Sequence, residues 1–376
     1  MNNNFDSDNI DSGAAGGLLI IDLDALQDNY RRLCAEAKPA RTAAIVKADA
    51  YGIGAAQAAP ALYKAGCRLF FVAQLIEALQ LKPLLSPDAT IAILNDIHPG
   101  METTTADAGF IPVLNSLSSI EAWGDLCRKR REKLPAMLQI DTGMCRLGLD
   151  IKEIKQLVAD PEIFNLADIY YILSHLACSD DSANNMNYTQ LITLKKLLKK
   201  LPTAHVSFAN SAAVYLGKDY RFDLVRPGIA LYGIDPHGQT PSRLQPVVQL
   251  KARVIQTRSV PAGLKIGYGG TFLTKYPTQI ATLAVGYADG WHRSLGNRGA
   301  AYFAGRRLPI IGRISMDSMM LDITTLGRKG PQRGDLVELI GPNQMLEDIA
   351  RDADTIPYEI LTSFGHRYER RYIQSE

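Results

Sequence analysis

The chain has 376 residues, enough for one large domain and a smaller one with a sizeable core. Hydrophobic residues make up 47% and charged residues 21%, ordinary for a globular enzyme, and a net charge of +2 argues against a surface built for nucleic acid. No apolar run reaches membrane-spanning length, the five cysteines form no C-x-x-C pair and the six histidines show no metal-ligand spacing, so a cytoplasmic protein without membrane, disulfide framework or metal centre is expected.

Residues 1–15 are rich in Asn, Asp and Gly, with no basic or apolar segment, and read as a flexible tail rather than a signal peptide. Residues 16–245 are assigned to a first domain. Short apolar runs at 43–47, 69–73, 90–95, 110–114, 136–140, 169–174, 205–208 and 222–225 alternate there with helix-patterned segments. Eight parallel strands over about 200 residues predict a TIM-type (β/α)8 barrel. No G-x-G-x-x-G follows the first strand, which argues against a dinucleotide-binding sheet. Within 187–201, leucines 191, 194, 197, 198 and 201 alternate with lysines 195, 196, 199 and 200, the pattern of a helix covering a barrel strand rather than a membrane-binding one. After a Pro/Gly/Ser-rich boundary at 235–246 the pattern changes. Strands at 247–260, 279–285, 308–314 and 335–340, separated by turn signals, predict a C-terminal mainly-β domain over 246–376.

Lys47 is the conspicuous polar residue, ending the apolar run Ala43-Ala44-Ile45-Val46. Burial makes an ammonium costly, so its pKa falls and the neutral amine becomes a base or a nucleophile that condenses with an aldehyde cofactor. Other polar outliers also follow predicted strands: Asp141 to Arg146, His175, Asn210-Ser211 and Arg226. The C-terminal rim of a barrel's strands is where active sites are built, and five such segments on one rim outweigh the bland reading of each. Taken alone, Lys47 is a strand-end lysine snorkelling to solvent and His175 a satisfied core histidine. Asn210-Ser211 is a helix cap or, with its hydroxyl, a phosphate site. Arg226-Pro227-Gly228 is a turn holding an ion pair, or one in which Gly228 lets backbone N–H groups approach an anion. Tyr287 is a packed aromatic.

Val46-Lys47-Ala48-Asp49-Ala50-Tyr51-Gly52 closely resembles the cofactor-lysine motif of the alanine racemases, which use pyridoxal phosphate (PLP). Seven further segments resemble that family in the expected order: Asp141-Thr142-Gly143-Met144-Cys145-Arg146-Leu147-Gly148; Ser174-His175; Ala209-Asn210-Ser211-Ala212; Val225-Arg226-Pro227-Gly228-Ile229, running to Leu231-Tyr232-Gly233; Gly267-Tyr268-Gly269-Gly270-Thr271; Val285-Gly286-Tyr287-Ala288-Asp289-Gly290; and Gly312-Arg313-Ile314-Ser315-Met316-Asp317. The resemblance implies a PLP-dependent racemase interconverting L-alanine and D-alanine. Lys47 would carry the cofactor, and Tyr51, Ser211, Gly228 and Ile229 would bind its phosphate. Arg226 would face the pyridine nitrogen, where a permanent cation disfavours ring protonation and weakens the electron sink, suiting racemisation over transamination. Lys47 and Tyr268 would be the two bases, assisted by a His175–Arg226 relay. Arg146 and the backbone N–H of Met316 would bind the substrate carboxylate, and Tyr287 would narrow the entrance. The family also implies a homodimer in which the β domain of one subunit delivers Tyr268 to the barrel of the other.

Two departures stand out. Many relatives carry a carbamylated lysine where this chain has Gln139; its amide oxygen can accept from Arg146 but brings no negative charge, so a bound anion or the amide alone must do that job. Near the C-terminus, His366 aligns with a tyrosine that in relatives contacts the phosphate, and Tyr368 lies two positions on. The alternatives are a racemase for serine or several amino acids, or a PLP-dependent decarboxylase of the same plan, which would place an acidic residue where Arg226 stands. A non-catalytic PLP-binding barrel would lack the second domain.

Overall fold

The structure is a computed structural model describing residues 13–239 and 241–375, so the proposed tail, residues 1–15, lies outside the described residues up to residue 12. The chain forms two compact units, Asp24–Gln245 and a second made of residues up to Leu23 and from Pro246 onward.

The first strand, β1 (Gly17–Asp22), belongs to the second unit. The strands of the first unit begin, after the helix Leu23–Ala37, with β2 (Arg41–Thr42) and β3 (Ala44–Ile45), two pieces of one stave interrupted at Ala43, whose N–H donates to the Val225 carbonyl at 3.0 Å. β4 (Leu69–Val72), β5 (Thr90–Ile93), β6 (Ile111–Leu114), β7 (Pro135–Gln139), β8 (Asp168–Leu173), β9 (His205–Ser207) and β10 (Leu224–Val225) follow. Each pairs in parallel with its predecessor, and β10 returns to pair with β2, which closes the barrel. These staves match the eight predicted runs. Strands such as β4 and β6 are buried along their whole length, the continuous apolar pattern that parallel strands need when both faces are covered. The helix Asn185–Leu198 buries Leu191, Leu194 and Leu197 and exposes Lys195 and Lys196, so its lysines form a solvated face.

The second unit contains β11 (Val248–Val260), β12 (Lys265–Ile266), β13 (Phe272–Leu273), β14 (Thr278–Leu283), β15 (Ala300–Phe303), β16 (Arg306–Ile311), β17 (Met319–Asp322), β18 (Leu336–Ile340) and β19 (Glu369–Ile373). Its main sheet runs β14-β17-β16-β15-β18-β11-β1-β19. The long β11 pairs with both β18 and β14, turning at an irregularity between Val254 and Gln256, so the antiparallel strands close a ring. β1 pairs with β11 from Gly17↔Ala252 to Ile21↔Val248. This corrects the assignment of 16–245 to the barrel. Leu-Leu-Ile-Ile has the composition of a buried strand, but nothing local tells a strand which sheet will pair with it.

Among the described residues, no helix is long and apolar enough to cross a membrane, and no cluster of His, Cys, Asp and Glu has the makings of a metal site. All five cysteines, Cys34, Cys67, Cys127, Cys145 and Cys178, are free thiols.

Candidate active site

Lys47 opens a short turn of uncommon hand. Ala48, Asp49, Ala50 and Tyr51 all have φ between 53° and 55°, a left-handed helical turn made entirely of non-glycine residues. At about 1–2 kcal/mol per L-residue, the turn stores roughly 4–8 kcal/mol that its surroundings must offset. Local bonds hold it: Ala50 N–H donates to the Val46 carbonyl at 2.9 Å, and the Asp49 carboxylate accepts from Ala55 N–H at 2.7 Å. The Glu77 carboxylate reaches in from the helix after β4 to accept from Ala48 N–H at 2.6 Å. Lys47 is half-buried at the end of its stave, not inside a strand. Burial and then the Arg146 guanidinium lower its pKa, and the Glu77 charge opposes them.

The turn carries Tyr51 inward. Its ring stacks on Tyr232 with centroids 4.7 Å apart, and the Tyr232 hydroxyl donates to the Ile45 carbonyl at 2.8 Å. The Tyr51 hydroxyl then lies hard against the backbone after β10, where a Cβ on Gly228 would sit 2.3 Å from it. Gly228 N–H and Ala230 N–H both donate to Ser211 Oγ, at 2.8 and 3.3 Å. Ile229, between them, is fully buried. Tyr51, Ser211, Gly228 and Ile229 thus form one backbone cradle that only glycine permits. Asn210 acts as a cap: its Oδ1 accepts from Ala213 N–H at 3.1 Å, at the start of a short 3-10 turn rather than a full helix.

Arg226 is buried beside this cradle. Its guanidinium donates to Ser207 Oγ, to the Ser174 carbonyl at 2.7 Å and to His175 Nδ1 at 3.4 Å. Burial lowers the Arg226 pKa to about 10, which still leaves it charged at neutral pH. Burial, followed by Arg226, Arg146 and Lys47, lowers the His175 pKa to about 3. The imidazole is therefore neutral, with Nδ1 accepting from Arg226 and the proton on Nε2. Gln190 fixes the loop behind it, donating to the His175 carbonyl at 2.9 Å and to Thr142 Oγ1 at 3.2 Å.

Arg146 is exposed, on a loop organised by Asp141, whose carboxylate accepts from the N–H groups of Gly143, Met144 and Cys145 at 2.8–3.0 Å. Gln139 is buried, and among the described residues its amide makes no hydrogen bond to Arg146. Its neutral amide offers Arg146 no net charge to hold it against hydration.

The second unit carries the other predicted residues. Tyr268 stands 70% exposed on a turn where Gly267, Gly269 and Gly270 all have positive φ. Met316 is exposed, and among the described residues its N–H has no acceptor, while its carbonyl accepts from Ala288 N–H at 2.9 Å. Tyr287 is 43% exposed, so the packed-aromatic reading does not hold. A Cβ on Gly286 would lie 2.4 Å from the Met316 carbonyl oxygen, so the Tyr287 and Met316 segments are in close backbone contact. Arg367 braces both segments, with paired bonds to Asp289 at 2.7 and 2.9 Å and one to Asp317 at 2.7 Å. His366 is exposed, whereas Tyr368 is buried against Phe364 and Gly17, and among the described residues its hydroxyl has no hydrogen-bond partner.

Sequence reasoning missed Glu77, Ser207, Gln190 and Arg367. Two of them carried a signal. Ser207 is a lone hydroxyl in an apolar strand, and Gln190 is an amide on the leucine face of its helix. Glu77 and Arg367 act through partners distant in sequence, which no local pattern marks.

Two family descriptions match the chain: "Alanine racemase, N-terminal domain" over residues 21–236 and "Alanine racemase, C-terminal domain" over 247–372. The chain is 53% identical to the alanine racemase of Brucella abortus, with 96% of this chain and 94% of that one aligned. It is 51% identical to a protein named "Alanine racemase, catabolic" from Agrobacterium fabrum, over the same shares. Among solved structures, alanine racemase from Bartonella henselae with covalently bound pyridoxal phosphate superposes with a TM-score of 0.94 at 53% identity, covering 96% of this chain and all of that one.

Proposed function

We infer the function of this chain from its place in the alanine racemase family, to which it belongs: it is a PLP-dependent isomerase that interconverts L-alanine and D-alanine. The observation that carries the residue-level reading is the pairing of Lys47 with the Tyr51–Gly228–Ser211 cradle on one barrel rim. A backbone approach that leaves no room for a Cβ, with a serine and a tyrosine hydroxyl against it, fits a phosphate group. A half-buried amine with a lowered pKa fits the aldehyde. We assign Lys47 to hold PLP, Tyr51, Ser211, Gly228 and Ile229 to hold its phosphate, and Arg226 to face its ring nitrogen. When bound, PLP supplies the electron withdrawal that loosens the α-proton.

The chain's own residues do the rest of the work. Lys47 holds or returns the α-proton at Nζ on one face of the substrate, and Tyr268 does so at Oη on the other. His175, being neutral, acts as a hydrogen-bond donor through Nε2 and conveys the Arg226 charge without adding its own. Arg146 and the Met316 N–H bind the carboxylate, for which the unengaged Met316 N–H is suited. Tyr287 narrows the approach. An arginine rather than a carboxylate after the eighth stave argues against the decarboxylase alternative.

We further propose a homodimer in which Tyr268 of the partner subunit completes each site. The high exposure of Tyr268 on its own unit supports this. A cytoplasmic location belongs to the same reading and is supported by five free thiols. The test is borohydride reduction of the PLP-loaded protein followed by peptide mapping. A pyridoxyl group on Lys47 is expected; one on another lysine overturns the assignment.

A further inference from the structure

We propose that Glu77 is a positioning residue for Lys47: by holding the Ala48 amide it keeps the left-handed turn Ala48–Tyr51 in the arrangement that aims the lysine along the barrel rim. This rests on the assignment of Lys47 above. The Ala48 N–H belongs to the peptide plane that leaves Lys47, so fixing its direction fixes the backbone from which the lysine side chain springs. One Glu77 oxygen accepts from Ala48 N–H at 2.6 Å. The other accepts from Ala73 N–H at 2.6 Å and Gln74 N–H at 2.9 Å, at the end of β4 and the start of the next helix. A single carboxylate therefore ties the turn after β3 to the neighbouring stave. With three donors on two oxygens, it has little freedom to release one bond without losing the others. The bonds of Asp49 and Ala50, by contrast, stay within residues 46–55 and set the shape of the turn without tying it to a neighbouring stave. Alanine stands at position 48 although φ is 53°, where glycine would rest without strain, so the turn depends on being held.

Glu77→Asp separates this role from simple helix capping. It keeps the charge and can still reach Ala73 and Gln74, but it is shorter by about 1.5 Å and cannot reach Ala48. In the PLP-loaded enzyme, kcat is expected to fall about 10- to 100-fold while KM for alanine stays within about threefold, because a misaimed base slows chemistry more than binding. Amide hydrogen exchange at Ala48–Gly52 is expected to quicken at least about tenfold, with the helix Leu75–Leu81 unchanged. Ala48→Gly added to Glu77→Asp is expected to recover several-fold in kcat, since glycine accepts φ near 53° without the cost that Glu77 offsets. Unchanged exchange at 48–52 with kcat within about twofold of wild type overturns the proposal, as does faster exchange confined to Leu75–Leu81. Should Glu77→Asp not fold, Glu77→Gln takes its place with the same expectations, because an amide cannot accept from both sides. Failure of both to fold makes Glu77 a general structural residue and also overturns it. A pyridoxyl group found on another lysine refutes the Lys47 assignment, whereas the exchange measurement reads the hold of Glu77 by itself.

Discussion

Gly228→Ala tests the cradle with one methyl group. The added carbon would sit 2.3 Å from the Tyr51 hydroxyl and 3.0 Å from Cζ, so the ring must retreat by about 1 Å to restore ordinary contact. It has little room to do so. Tyr51 ends the left-handed turn and stacks on Tyr232, itself anchored to the Ile45 carbonyl. Gly228 is equally held, through its N–H, by Ser211. Overpacking of this kind costs about 1–3 kcal/mol, which corresponds to a loss of about 5- to 150-fold in PLP affinity if it falls on the bound state. Fluorescence titration of the apoenzyme with PLP measures that loss, and thermal unfolding shows how much falls on the fold instead. In a Tyr51→Phe background the 2.3 Å contact no longer exists. Gly228→Ala should then cost about 1 kcal/mol less, and the two changes should be non-additive. Affinity and Tm unchanged in the single variant, or strict additivity in the cycle, would refute the close approach of Tyr51 to Gly228.

Other expectations follow from the same geometry. The His175 pKa is lowered to about 3 in the folded state, below the ordinary value of 6.5, so the unfolded chain binds the extra proton first. His175 therefore makes the fold lose stability as pH falls through the window from about 6.5 to 3, and His175→Gln should flatten the urea-derived stability slope there by up to about one proton. Gln139 cannot be carbamylated, so turnover at constant pH should not depend on dissolved CO2; a reversible loss on degassing would point to a modified lysine elsewhere. Arg146→Lys should raise KM for alanine, because a point charge replaces a planar fork, and steady-state kinetics would show it. If the dimer shares its sites, equal amounts of inactive Lys47→Ala and Tyr268→Phe enzymes should recover roughly a quarter of wild-type racemisation after subunit exchange. No recovery, with heterodimers seen by native mass spectrometry, would place both bases in one chain.

The barrel was legible because each stave is a short apolar run whose two faces are both covered, and such runs announce themselves whatever lies around them. Lys47, Arg146, His175, Ser211 and Arg226 were legible for a related reason: polar groups directly after apolar strands lie on one rim by the topology of parallel βα units. In the second unit, Val248–Val260 showed as a long alternating run, while Ala300–Phe303 and Met319–Asp322 passed unnoticed because they are too short to display a period.

What only the tertiary structure decided is everything that depends on partners distant in the chain. Gly17–Asp22 has the composition of a strand, but its place beside Val248–Ala252 comes from hydrogen bonds across more than two hundred residues. The left-handed turn after Lys47 is written in no propensity, since alanine, aspartate and tyrosine each disfavour it; it persists because local bonds and Glu77 offset its cost. The neutral state of His175 likewise comes from burial beside Arg226, Arg146 and Lys47, three basic groups that the fold brings together from separate staves. Residue types and their order set which groups were available, and packing set their hand, charge and direction, because those depend on neighbours that only folding supplies.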